Sequence, residues 1–299
     1  MELKAQSKWS WLVSAYLFLA GLGAGAYAIG VVAGFSGGEW AGVSKIGISL
    51  GFPCVLVGCM FLIGDLGTPS NFWRAWRRPN TSWIARGTII ISIFMVLGVV
   101  HAAFWVWPFH SLEDAHGARN LVGVLGIIFA FGTMIYTGIL LGAARPIAFW
   151  STAMLPLLFL ISALSTGAMA VVLTSSLTGT THGGPIARLA WFDSLLIILE
   201  ILVLFFYLQA THRVPESRAS AKLVLTGSVA PLFWAGVVLV GLLIPLVLEI
   251  LPVGAATGAL ALPASVCGIT GGLFLRQVVV SGGIHAPLRA GRFEIGLPA

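Results

Sequence analysis

Long uncharged apolar stretches broken by short Gly/Pro-rich or charged connections dominate the chain. The first runs from Trp9 to Phe35 without a charged residue, and similar stretches cover 43–66, 83–107, 120–143, 147–175, 189–210, 223–249 and 257–281. A helix needs about 20 mainly apolar residues to cross a hydrocarbon core about 30 Å thick. The pattern therefore predicts an all-α integral membrane protein with eight transmembrane helices. The connections are too short for a water-soluble domain, so residues 1–299 read as a single membrane domain. The first stretch is too long for a signal-peptide core and holds its small residues (Gly21, Gly23, Ala24, Gly25) inside rather than after it. It reads as the first span.

Composition agrees. Of 299 residues, 58% are hydrophobic and 9% charged, against roughly 25% charged in soluble domains. Eight spans place both termini on one side, and the cations then sort. Lys4, Lys8, Arg74, Arg77, Arg78, Arg86, Arg145, Arg213, Arg218, Lys222, Arg276, Arg289 and Arg292 fall on the terminal side, and only Lys45, Arg119 and Arg188 on the other. The positive-inside rule puts the basic side, and both termini, in the cytoplasm of a cell (inner) membrane. The basic stretch Asn71-Phe-Trp-Arg-Ala-Trp-Arg-Arg-Pro79 interleaves aromatics with cations. Arg74, Trp76, Arg77 and Arg78 are thus candidates for docking a soluble partner, since Trp and Arg favour interface hot spots. Anionic lipid is the alternative use of the same cations. Nothing points to nucleic acid.

Polar residues deep in a span are costly, so each is a candidate functional group. They are Tyr16 in the first span, Asp65 ending the second, His101 in the third, Tyr136 in the fourth and Glu200 in the sixth. Asp193 precedes Glu200 by two helical turns and shares its face, so Asp193, Glu200 and His101 are proton-path candidates. A structural role tying helices together is the competing reading of Glu200, and simple packing that of His101. Three cysteines, Cys54, Cys59 and Cys267, are too few for a four-thiolate cluster and read as small core residues. A b-type haem needs facing histidine pairs, and only His101 is deep. No haem, iron–sulfur cluster or other metal site is expected in this chain. Gly21-Leu-Gly-Ala-Gly25 lacks the strand context of a nucleotide loop, and its small residues four apart suit close helix packing, as do Gly138 and Gly142.

Several stretches together resemble the NrfD/PsrC family, the membrane subunits of polysulfide reductase and related molybdenum oxidoreductases. They are Ala15-Tyr-Leu-Phe-Leu-Ala-Gly-Leu-Gly-Ala-Gly25, Asp65-Leu-Gly-Thr-Pro69 followed by Pro79-Asn-Thr-Ser82, Tyr136-Thr-Gly-Ile-Leu140, the Asp193…Glu200 helix and Gly272-Leu-Phe-Leu-Arg276. The resemblance implies eight helices arranged as two four-helix bundles. It also implies a haem-free subunit that exchanges electrons between menaquinone or ubiquinone and an iron–sulfur (ferredoxin-like) subunit, which serves a molybdopterin catalytic subunit. Such a chain is a non-catalytic or quinone-reactive part of its complex and holds no catalytic residue of its own. By the same resemblance Tyr16, Asp65, Tyr136 and Arg145 are the quinone-site candidates, within the first four helices. In polysulfide reductase that end faces the periplasm, whereas here the matching end carries the basic residues, which puts the partner in the cytoplasm and the polysulfide substrate in doubt. Docking cations on a reversed topology are the alternative. Rival functions are a secondary transporter and a proton-translocating subunit without quinone chemistry. Pro156 and Pro245 interrupt spans, but the two halves share no repeated motif, which disfavours transport by inverted repeats.

Overall fold

The computed structural model describes residues 9–65, 80, 82–105, 115–143, 147–180, 183–211, 214–250, 256–284, 288–290 and 293–295. Eight helices are long and apolar enough to cross a membrane, and the chain is a multi-pass membrane protein. The spans are α1 (Trp11–Ser36), α2 (Ala41–Asp65, entered through a 3-10 turn at Gly38–Trp40), α3 (Trp83–Ala103), α4 (His116–Gly142), α5 (Met154–Thr178) and α6 (Gly184–Ala210), then a seventh span and α9 (Ala256–Ser281). Between α6 and the seventh span lies α7 (Pro215–Thr226), and residues 288–290 and 293–295 pair as a short antiparallel ladder.

Two helices form the interior. In α1, 83% of the most apolar window is buried, and in α5 72%, against 28% in α2 and α3. Small side chains let neighbouring helices approach closely on several sides, and α1 supplies Ala20, Gly21, Gly23, Ala24, Gly25, Ala26, Ala28 and Gly30. It packs on α2, α4, α5 and α9. At the α1–α5 crossing a Cβ on Gly25 would lie 2.1 Å from the Ala163 carbonyl oxygen, and one on Gly167 2.4 Å from the Ala26 nitrogen. At the α1–α2 crossing Gly30 and Gly47 meet in the same way. Association in lipid relies on such close backbone approach because the surrounding acyl chains are as apolar as leucine. Gly25 thus does the packing its spacing from Gly21 suggests, while Gly138 rests on Pro156 of α5, 2.4 Å from its Cβ position.

Around this interior, α3 packs on α2 and α4, and α6 on α5. The lipid-facing side of α6 is apolar, with Trp191, Leu195, Ile198, Leu202 and Phe205 exposed, while Asp193, Ile197, Glu200, Leu204 and Tyr207 are buried. Asp193 and Glu200 therefore do share the inward face.

Two boundaries differ most from the sequence expectation. The fifth span begins at Met154 rather than 147, because Ile147, Phe149 and Trp150 are buried in an apolar turn. There Trp150 donates from Nε1 to the Val279 carbonyl at 2.8 Å, and Tyr207 donates to the Phe149 carbonyl at 2.9 Å. The seventh span begins at Leu232 rather than 223. Leu223, Val224 and Leu225 belong instead to α7, which carries Arg218 and Lys222 and ends at Gly227. The seventh span is π-helical over Leu232–Leu243 and becomes α8 at Ile244–Ile250. Pro245 lacks the N–H that would bond the carbonyl one turn back, and a widened turn accommodates that loss. On its inner side Gly241 meets Gly271 of α9, with 2.6 Å between the Gly241 Cβ position and the Gly271 Cα. Cys54, Cys59 and Cys267 are free thiols, half-buried rather than fully enclosed.

Candidate functional site

The candidate polar groups separate into three places. The first is the terminal-side end of α1–α4. Tyr16, one turn into α1, and Tyr136, near the end of α4, are both buried in one apolar cluster with Leu17, Met134, Leu140 and Leu141. Their phenols and the Cys59 thiol of α2 are near enough to interact electrostatically. The Tyr136 ring lies against the backbone of α3 at Gly87, where a Cβ would fall 1.7 Å from Cζ. Any other residue at 87 would expel the ring. Asp65 ends α2 at the same face and accepts a 2.5 Å hydrogen bond from Ser10 Oγ, while Ser10 caps α1 by accepting from the Leu12 N–H at 3.1 Å. The carboxylate thus anchors the entry to α1. Arg145, Arg74, Trp76, Arg77 and Arg78 lie outside the described residues. Nearby, Arg86 stacks 4.7 Å from the centroid of the exposed Trp83 ring and donates to the Asn80 carbonyl at 2.9 Å.

The second place lies between α5, α6, α8 and α9. Arg276 was counted by sequence among the surface cations. The structure corrects this: it is 1% exposed, because its position on α9 faces α5. Its guanidinium donates to Ser162 Oγ and, at 3.1 Å, to the Gly272 carbonyl, and its Cζ lies 5.1 Å from the Phe159 ring centroid. Glu200 interacts with both Arg276 and Ser162. One turn along α5, Ser165 lies near Asp193, as does Glu249 of α8. Glu249 accepts from Ser194 Oγ at 2.9 Å, whereas neither Asp193 oxygen completes a well-aligned hydrogen bond. A pocket of about 10 Å³ touches Ser162, Ser165 and Glu200, room for about one water molecule. Hydroxyls and carboxyls therefore run from Glu200 toward the end of the bundle away from the termini.

In the third place, near the non-terminal ends of α1–α4, His101 is buried and its Nδ1 pairs with Tyr27 Oη at 2.8 Å. Tyr27 follows Tyr16 by three turns, about 16 Å along α1. His101 is therefore separated from Tyr16 and Tyr136, and it belongs to the other half of the chain from Asp193 and Glu200. Sequence reading missed Tyr27, Glu249 and the burial of Arg276. For Arg276 a signal existed, since Gln277-Val-Val-Val280 continues the apolar run beyond it.

Chemically, the first place offers neutral phenol donors in an apolar setting, the second a chain of groups able to hand on protons, and among the described residues no cluster of three or more His, Cys, Asp or Glu could hold a metal ion. The family model described as "Polysulphide reductase, NrfD" matches residues 2–287. A polysulfide reductase chain of Wolinella succinogenes is 30% identical over 298 residues, covering 93% of this chain and 91% of that protein. Protein NrfD of Escherichia coli is 26% identical over 309 residues, covering 92% and 94%. A selenate reductase subunit of Mesobacillus selenatarsenatis is 23% identical over 287 residues, covering 82% and 67%.

Proposed function

The chain belongs to the NrfD polysulphide reductase family, and from that premise we propose that it exchanges electrons between membrane quinone and an iron–sulfur subunit of a molybdenum-dependent oxidoreductase. The carrying observation is the pair of buried phenols, Tyr16 and Tyr136, at one end of α1–α4. A phenol stays neutral to about pH 10 and donates one hydrogen bond, which suits the carbonyl oxygen of menaquinone or ubiquinone. Bound there, the quinol supplies two electrons and two protons on oxidation, and the reverse on reduction. Tyr136, its ring fixed against Gly87, orients the carbonyl, and Tyr16 lies beside it. Asp65 holds the α1 entry and stands at the face where protons leave or enter, with Arg145 in the connection that follows α4. Two four-helix bundles within one membrane domain are part of this reading, with α5 at their junction, where it packs on α1 and α4 as well as on α6 and α9.

Replacing Tyr136 by Phe should reduce quinone-dependent electron transfer to the partner about tenfold or more, because a donor to a developing charge is removed, while assembly stays intact. Steady-state quinol oxidation by the purified complex measures this. Unchanged kinetics would remove Tyr136 from the site.

Glu200, Ser162, Ser165 and Asp193 form a separate proton path, with Glu249 at its far end, and this is the feature that favours the rival proton-translocating reading. The basic end, with Arg74, Trp76, Arg77 and Arg78, docks the partner on the cytoplasmic side of the inner membrane. A periplasm-only reporter fused to the C-terminus should be silent, and activity there would reverse the orientation.

A further inference from the structure

The face away from the termini is poor in cations: its sequence supplies only Lys45, Arg119 and Arg188. Arg188 forms an ion pair with Glu39. Lys45 and Arg119 both line one outward-opening cavity of about 260 Å³, between the ends of α1 and α3 and the beginnings of α2 and α4.

The cavity is built in layers. Its inner wall is His101, held from behind by Tyr27 through the 2.8 Å hydrogen bond to Nδ1. Trp105 stacks on the His101 ring at 5.5 Å and 21°. Arg119 follows, its Cζ 5.9 Å from the Trp105 centroid and its Nη2 3.3 Å from His116 Nδ1. A flat guanidinium between an indole and an imidazole has lost much of its freedom, so it presents its remaining N–H groups at small further entropic cost. Lys45 and Asn120 complete the polar lining, and among the described residues no carboxylate lines it.

The start of α4 adds to the same field. Arg119 lies in its first turn, and Ala115 at the N-cap offers no side-chain acceptor. The first-turn N–H groups of a helix carry partial positive charge and need acceptors, and phosphate oxygens meet that need in many proteins. The helix start is the second contribution here. The first is the two cations lining one cavity.

We propose that this cavity binds a phosphate-bearing anion, either the headgroup of an anionic phospholipid or free phosphate. The ends of the spans coincide with the depth of lipid phosphates, just outside the hydrocarbon core. The arrangement is distinct from the quinone-site candidates at the opposite end and stands whether or not they bind quinone. Arg119 and Lys45 neutralise the phosphate, the Asn120 amide donates to it, and Trp105 covers the apolar part of the headgroup. An anion held there ties the start of α4 to the start of α2.

The test uses the full chain purified in dodecyl maltoside without phosphate. Native mass spectrometry follows retention of phosphatidylglycerol and of phosphatidylcholine with the same acyl chains, and thermal unfolding is followed with sodium phosphate and with sodium chloride at equal ionic strength. Preferential retention of phosphatidylglycerol, reduced about tenfold or more in Lys45→Gln/Arg119→Gln, supports a lipid headgroup. A phosphate-specific rise in Tm without lipid preference, lost in the same double variant, supports the free anion. Asn120→Asp, which adds a negative charge at an exposed position, should weaken either ligand and serves as a second variant if the double one is poorly folded. Equal retention of the two lipids with no phosphate-specific stabilisation overturns the proposal. So does an equal loss of binding in Arg188→Gln, because the effect would then be general surface charge.

Discussion

Replacing Arg276 by leucine should destabilise the protein by about 3–5 kcal/mol, the usual cost of removing one member of a buried charged pair. The guanidinium is enclosed between α5 and α9, bonded to Ser162 and to two backbone carbonyls, those of Gly272 and Phe159, and it interacts with Glu200. Leucine would leave the Ser162 hydroxyl and Glu200 facing an apolar neighbour. Glu200→Gln should cost less, because glutamine remains a hydrogen-bond partner for both Arg276 and Ser162. The double change Arg276→Leu/Glu200→Leu should recover part of the loss, since apolar replacement of both partners restores a consistent interior. Thermal unfolding in detergent, read by tryptophan fluorescence, distinguishes these variants. A loss below about 1 kcal/mol for Arg276→Leu would place the residue in the range of an ordinary surface charge, and the buried arrangement would be wrong.

Gly25→Ala should have an effect of similar size from a different cause. Its added methyl would lie 2.1 Å from the Ala163 carbonyl oxygen and 2.8 Å from the Ala163 carbonyl carbon. Both are backbone atoms, so no side chain can swing aside, and α1 and α5 must separate. Overpacking costs about 1–3 kcal/mol where side chains can adjust, and the upper end or beyond applies here. The yield of monodisperse protein after extraction, together with Tm, reports the effect. Gly64→Ala is the matched control, because nothing lies within 4 Å of its Cβ position. Equal Tm values for wild type and Gly25→Ala would contradict the close α1–α5 crossing.

The eight spans were legible because the bilayer imposes a length and a composition together, and few sequences meet both by accident. The inward pairing of Asp193 and Glu200 was legible from their spacing alone, since seven residues return to the same face. Boundaries were less so. Ile147-Ala-Phe-Trp150 is apolar enough to extend a span, but its residues are buried by contacts with Val279 and Tyr207 that only the folded chain supplies. Leu223–Leu225 misled for a related reason, because one buried face of the surface helix α7 resembles the start of a span over a short window. Of the site candidates, Tyr16 and Tyr136 were placed by resemblance, whereas the role of Gly87 as the seat of the Tyr136 ring requires the α3–α4 crossing. Tyr27 and His101 are 74 residues apart, and no local pattern pairs them. Arg276 was misread because a cation near the end of a helix normally extends to the interface, and α5 and α9 leave it no such route.

The burial of α1 bears on how the protein is made. Its packing surfaces lie on α2, α4, α5 and α9, all of which leave the ribosome after it. At about 5–20 residues per second, the 245 residues from Ser36 to Ser281 take about 12–50 s to synthesise. During that interval a helix whose glycines suit protein backbone, and whose surface offers lipid few large side chains, has only part of its native surroundings. Early truncation products should therefore be poor stand-alone folding units, and α1 is the segment on which a membrane insertase or chaperone would act longest.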